Sequence, residues 1–127
     1  VIPNLIKAFG EKKPFSLFGT SFDTPDGTAI RDYVDVTDLA KVHLRALEVI
    51  QDKPLLVSNI GNGHGTSVGE MITIFRDIFG SEMEIVEKPA REGYPPRLIA
   101  DSTFFKSWYS DDLLSLRDSL TNLKRFS

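Results

Sequence analysis

Short β-rich runs alternating with amphipathic helical segments predict an α/β fold built from βα units. Three observations carry that prediction. Runs at 15–19 ("FSLFG"), 55–60 ("LLVSNI") and 84–88 ("EIVEK") are rich in apolar and β-favouring residues. Two longer stretches, 38–51 and 68–79, repeat apolar residues at helical spacing. Glycine and proline clusters mark the boundaries between them.

Composition narrows the class. The chain has 127 residues, of which 41% are hydrophobic and 26% charged. That fits one soluble unit over residues 1–127, long enough to bury a core without covalent staples. The net charge of −3 offers no basic stripe, so no nucleic-acid partner is expected. There is no cysteine, hence no disulfide and no thiolate metal site. His43 and His64 stand far apart, and no histidine metal centre is expected. No apolar run approaches membrane-spanning length, and a cytoplasmic location is the default expectation. The chain opens on Val1 inside an apolar-periodic segment, as a piece of a longer polypeptide would.

The elements follow in order. Pro3 suits a first helical turn and Gly10 a stop, predicting a helix over 3–10. "TSFDTPDGT" (20–28) is dense in turn formers and predicts a loop, and "RDYVDV" (31–36) predicts a second extended segment. Thr37 is the expected N-cap of a helix over 38–51, whose apolar face is Leu39, Val42, Ala46, Leu47 and Ile50; His43 reads as a helix-packing histidine beside it. After the run at 55–60 comes "GNGHGTS". Ser67 and Glu70 match a capping box. Val68, Met71, Ile72, Phe75 and Phe79 then form one face, and Gly80 ends the helix. "PAREGYPPRL" (89–98) predicts a loop, and Leu113, Leu116, Leu120 and Leu123 a final helix.

The glycine loop leaves two readings open. A dinucleotide fingerprint needs Gly-x-Gly-x-x-Gly after a strand. Gly61 and Gly63 match, but Thr66 takes the third position. The other reading is a sharp strand-to-helix turn closed by the Ser67 cap.

A more specific signature lies upstream. "SLFGTSFDTPDGTAIRDYVDVTDLAKVH" (16–43) closely resembles the UDP-glucose 4-epimerases of the extended short-chain dehydrogenase/reductase group. "NIGNGHGTSV" resembles a later strand–loop–helix of that family, and "REGYPPRLIADST" its arginine loop. The resemblance runs from Val1 to about Phe105. It implies the C-terminal part of such an enzyme: the substrate-binding region with late elements of a Rossmann-type domain. It also implies that the glycine loop is a structural turn, because the family's cofactor loop lies near the N-terminus of the full protein.

The family's chemistry uses NAD and a Tyr-x-x-x-Lys pair. Four residues after Tyr33, Tyr94 and Tyr109 stand Thr37, Leu98 and Leu113, so no catalytic residue is expected here. No cofactor is expected for this chain alone, NAD belonging to the intact enzyme. The expected partners are a UDP-sugar, an N-terminal NAD-binding half and a second copy of the chain.

By resemblance, Arg31 and Arg91 grip the diphosphate. Planar guanidinium forks suit that task, while a surface ion pair is the ordinary fate of a lone arginine. Ser16, Leu17 and Phe18 match the uridine-contacting strand, although Phe18 could equally be core. Tyr33 and Val1 match positions near the nucleotide and the substrate. Tyr94 stands where the family commonly has an aspartate for a ribose hydroxyl. Leu98 stands where side-chain size bears on N-acetylated sugars, and Asp35, where histidine is frequent, reads as surface variation. Two alternatives remain: a non-catalytic nucleotide-sugar-binding module, and an independent dinucleotide-binding domain.

Overall fold

The computed structural model describes residues 1–52 and 55–125. In chain order the elements are α1 (Ile2–Gly10), β1 (Phe15–Phe18), β2 (Ile30–Arg31), α2 (Val36–Val49), β3 (Thr66–Ser67), α3 (Val68–Phe79), β4 (Ile85–Lys88), β5 (Arg97–Leu98), α4 (Thr103–Lys106) and α5 (Leu116–Arg125). β1 and β4 pair in parallel, Phe15 opposite Ile85 through Phe18 opposite Lys88. In the other sheet β2 is central, antiparallel to β3 and parallel to β5. The class is α/β, with small sheets.

α3 organises the main core. All of its expected inward residues, Val68, Met71, Ile72, Phe75 and Phe79, are buried. The Ser67 hydroxyl accepts from the Glu70 N–H at 3.0 Å, while the Glu70 side chain stays in solvent. Only one arm of the expected capping box therefore forms. At the other end Gly80 takes a left-handed conformation, φ +64°, and its N–H donates to the Arg76 carbonyl. Leu5 and Ala8 of α1, Phe15 and Leu17 of β1 and Leu120 of α5 complete this core. Phe75 and Phe79 stack at 4.2 Å between ring centroids, and Phe9 meets both edge-on.

A second, smaller cluster joins Val42 to Phe105 and Tyr109, with Ile60, Trp108 and Leu113 against it. Asp38 is buried beside it, accepting from the Leu114 N–H at 2.6 Å and from Lys41 Nζ at 3.0 Å. The carboxylate thus ties α2 to the segment before α5.

Several expectations are corrected. α2 begins earlier than expected, and its N-cap is Asp35, not Thr37. The Asp35 carboxylate accepts from both the N–H and the hydroxyl of Thr37, so it is a cap rather than surface variation. Those bonds hold its carboxyl below the ordinary range despite partial burial. The expected apolar face of α2 is incomplete: Val42 is buried, but Leu47 is 64% exposed and Ile50 is also exposed. His43 is exposed, and its Nδ1 lies 2.7 Å from the Leu39 carbonyl of its own helix.

Gly10 remains helical. The left-handed residue after α1 is Lys12, φ +52°. The run at 55–60 alternates outward and half-buried residues, as a strand does, but lies in no ladder. It is held instead through Ser58, whose hydroxyl accepts from Trp108 Nε1 at 3.3 Å. In "RDYVDV" only Arg31 is in a strand, and Leu113 precedes the last helix.

Candidate functional site

β2 and β5 bring the two arginine-bearing segments together. Ile30 N–H donates to the Pro96 carbonyl at 2.8 Å and Asp32 N–H to the Leu98 carbonyl at 3.1 Å, with Arg31 opposite Leu98. This register lays the Arg31 side chain on the loop before β5. Its Nη2 donates to the Pro95 carbonyl at 3.0 Å, its Nη1 to the Ile30 carbonyl at 2.7 Å, and its Cζ lies 5.1 Å from the centroid of the Tyr94 ring. Tyr94 N–H in turn donates to the Arg91 carbonyl at 3.2 Å.

Arg91 points back to the other sheet. Its Cζ lies 4.3 Å from the centroid of the Phe18 ring. The parallel pairing of β1 with β4, extended by Gly19 N–H to the Lys88 carbonyl, delivers the loop to that ring. Phe18 is 41% exposed and Tyr94 49% exposed, so Phe18 is not core. Neither guanidinium lies in an ion pair among the described residues. Each rests on an aromatic face, which attracts a cation but does not neutralise it. Two positive charges without a carboxylate partner among the described residues therefore stand on β2 and on the loop before β5, next to exposed rings.

The other expected residues divide. Leu98, exposed on β5, joins this group. Ser16 and Phe18 line an open cavity of about 240 Å³ with Asn4 and Lys7 of α1. Leu17 is only 8% exposed and its side chain belongs to the core, leaving only its backbone for an external contact. Val1 caps the start of α1, exposed. Tyr33 packs against the main core; its hydroxyl is buried without a hydrogen-bond partner among the described residues. Burial pushes this phenol up, opposed by the nearby charge of Arg31.

The glycine loop does not fit a dinucleotide phosphate. Two of the amides such a loop would offer are taken by the protein itself. Asp32 Oδ1 accepts from Asn62 N–H at 3.1 Å, and Oδ2 accepts from Gly63 N–H at 3.0 Å. The glycines answer to packing. A Cβ on Gly61 would lie 2.5 Å from the Ala100 Cβ and 2.6 Å from Asp32 Oδ2, and one on Gly65 would enter Ile30 and Ile99. No step of NAD chemistry is assigned to these residues. Asp32 is the residue that sequence reasoning missed. Its only signal in the sequence was an acid directly after the arginine of "IRDY".

Comparisons with known proteins bear on the family and the fold. Residues 1–61 match the NAD dependent epimerase/dehydratase family. The UDP-glucose 4-epimerase of Mycoplasma pneumoniae is 43% identical over 107 residues, 81% of this chain and 32% of that protein. The UDP-glucose 4-epimerase of Bifidobacterium longum, solved with NAD+ and UDP, superposes with a TM-score of 0.81 at 35% identity, covering 90% of this chain and 34% of its own. The enzyme of Stenotrophomonas maltophila, solved with NAD and formylated UDP-arabinopyranose, gives a TM-score of 0.85 at 26% identity, covering 99% and 40%. This chain spans about a third of the length of the curated relatives it matches. Its sequence and fold correspond to part of a UDP-glucose 4-epimerase, and the match to the NAD dependent epimerase/dehydratase family spans its first 61 residues.

Proposed function

We propose that residues 1–127 act as one unit, the UDP-sugar-binding portion of a cytoplasmic UDP-glucose 4-epimerase that interconverts UDP-glucose and UDP-galactose. Arg31 and Arg91 hold the diphosphate, while Phe18, Tyr94 and the backbone of Ser16 and Leu17 receive the nucleoside. Leu98 borders the sugar, with Tyr33 and Val1 on the side of the nucleotide and substrate. NAD and the proton-transferring residues belong to an NAD-binding part joined to this one, so the chain alone binds and does not catalyse. The observation that carries this reading is the pair of guanidiniums, one on β2 and one on the loop before β5, each against an aromatic face and neither in an ion pair among the described residues.

Calorimetric titration tests it. The chain is expected to bind UDP in preference to NAD. Arg31→Ala or Arg91→Ala should each weaken UDP binding by about 1.5–3 kcal/mol, the usual range for a hydrogen bond to a charged group. A preference for NAD, UDP affinity indifferent to both substitutions, or interconversion of the two UDP-sugars by the pure chain would overturn it.

A further inference from the structure

The ladder that sets the position of Arg31 is short. β2 and β5 share two residue pairs, Ile30 with Arg97 and Arg31 with Leu98, and β3 adds two more on the other side. In a strand, a slip of one residue moves every side chain to the opposite face. Such a slip would carry Arg31 away from Tyr94 and Pro95. Backbone pairing this brief specifies register weakly, so the register needs a second determinant.

Asp32 has the geometry to supply it. Its N–H continues the β2–β5 ladder to the Leu98 carbonyl. Its carboxylate then reaches past the end of β5, where Oδ2 accepts from Ala100 N–H at 3.3 Å. The same carboxylate accepts from Asn62 and Gly63. One side chain thus binds three amides from two separate segments, each bond strengthened by the acceptor's charge. Glycine at 61 is what lets the carboxylate sit here, since a Cβ in its place would lie 2.6 Å from Asp32 Oδ2. Around this point Asn62 Nδ2 donates to the Tyr33 carbonyl at 2.6 Å, and Lys106 Nζ to the Asn62 carbonyl at 3.3 Å. The acid sits beside Arg31 in the chain yet forms no ion pair with it among the described residues.

We propose that Asp32 is a positioning residue for diphosphate recognition: by occupying the amides of Asn62, Gly63 and Ala100 it fixes the register of β2 against β5, and so holds the Arg31 guanidinium on the diphosphate side. The glycine loop is then a receptor for an internal carboxylate, and its role in ligand binding is indirect. This rests on the proposed function and adds a residue that touches no ligand.

The test compares UDP with uridine, because mispositioning Arg31 affects only the diphosphate. The unaltered chain is expected to bind UDP more tightly than uridine. Asp32→Asn keeps the size of the side chain but turns an NH2 group toward amide donors. It is expected to weaken UDP binding about tenfold while uridine affinity holds. Asp26→Asn, which removes another loop carboxylate, serves as the control and leaves the UDP-to-uridine ratio unchanged. An unchanged ratio in Asp32→Asn, or an equal loss for both ligands, overturns the inference. If the unaltered chain does not distinguish the two ligands, the proposed function falls, and backbone and Arg31 Nε order measured by NMR decide on Asp32. Loss of order at Arg31 and Leu98 in Asp32→Asn supports the positioning role, and retained order rejects it.

Discussion

Around α3, each residue that the helical period assigns inward is covered by α1, β1 or α5. α2 has a similar density of apolar residues, yet it buries Val42 and leaves Val36, Leu44 (67% exposed) and Leu47 in solvent. Leu55 and Val57, just beyond it, are also exposed. The two helices differ in their apolar arcs. On α3 the arc is a single stripe matched by the elements around it. On α2, Val42 enters the second cluster, with Leu39 and Ala46 half-buried on the same side of the helix, while Val36, Leu44 and Leu47 lie on another side. A helix apolar on two sides is one that expects cover on both. The difference teaches that periodicity reports where burial is wanted, and that neighbouring elements decide where it is obtained.

The largest expected effect lies in the closed half. Phe75 is fully buried and stacked on Phe79, so Phe75→Ala should cost about 3–5 kcal/mol in urea unfolding. A loss below about 1 kcal/mol would mean that this core is as loosely covered as the other.

An intermediate effect is expected where the loop over 20–28 meets α3. Ser67→Ala removes the cap and should cost about 1 kcal/mol. The Asp26 carboxylate is partly desolvated, which raises its pKa, but bonds from the Ser67 hydroxyl and from the N–H and hydroxyl of Thr28 outweigh that and hold it below the ordinary range. A depressed folded value means that the stabilisation is present above the unfolded pKa of roughly 4 and is lost as pH falls through the folded one. Thermal melting of Asp26→Asn should therefore decline less steeply on acidification than that of the unaltered chain. Parallel acid profiles would remove Asp26 from this account.

The smallest change in stability is expected on the open half. Replacing Leu44 and Leu47 together by Glu should alter unfolding free energy by no more than about 0.5 kcal/mol per site. It should, however, reduce self-association in sedimentation velocity, because exposed apolar stripes promote it. A marked loss of stability would show that these side chains are covered in solution.

Much of the closed half was legible in the sequence. The face of α3, the Ser67 cap and the Gly80 stop depend on residues close in the chain, and local periodicity captures such features. The run at 55–60 was legible as rich in β-favouring residues, but it joins no ladder among the described residues, since a ladder needs a partner that composition alone cannot name. Asp35 was misread because a cap is defined by where the helix starts, and Val36 and Thr37 join the helix despite their β-branched side chains. In the candidate site, Arg31 and Arg91 were found through motif resemblance. Their aromatic platforms and the bonds of Asp32 arise from contacts between residues distant in sequence, such as Asp32 with Ala100.

Trp108 gives the half-open region its own optical reporter. It is the sole tryptophan of the chain, set edge-on against Phe105 and Tyr109 and bonded to Ser58. Its emission wavelength therefore tracks solvent entry at the second cluster alone, and a spectral shift that precedes the loss of helical dichroism would separate the opening of one half from the melting of the other.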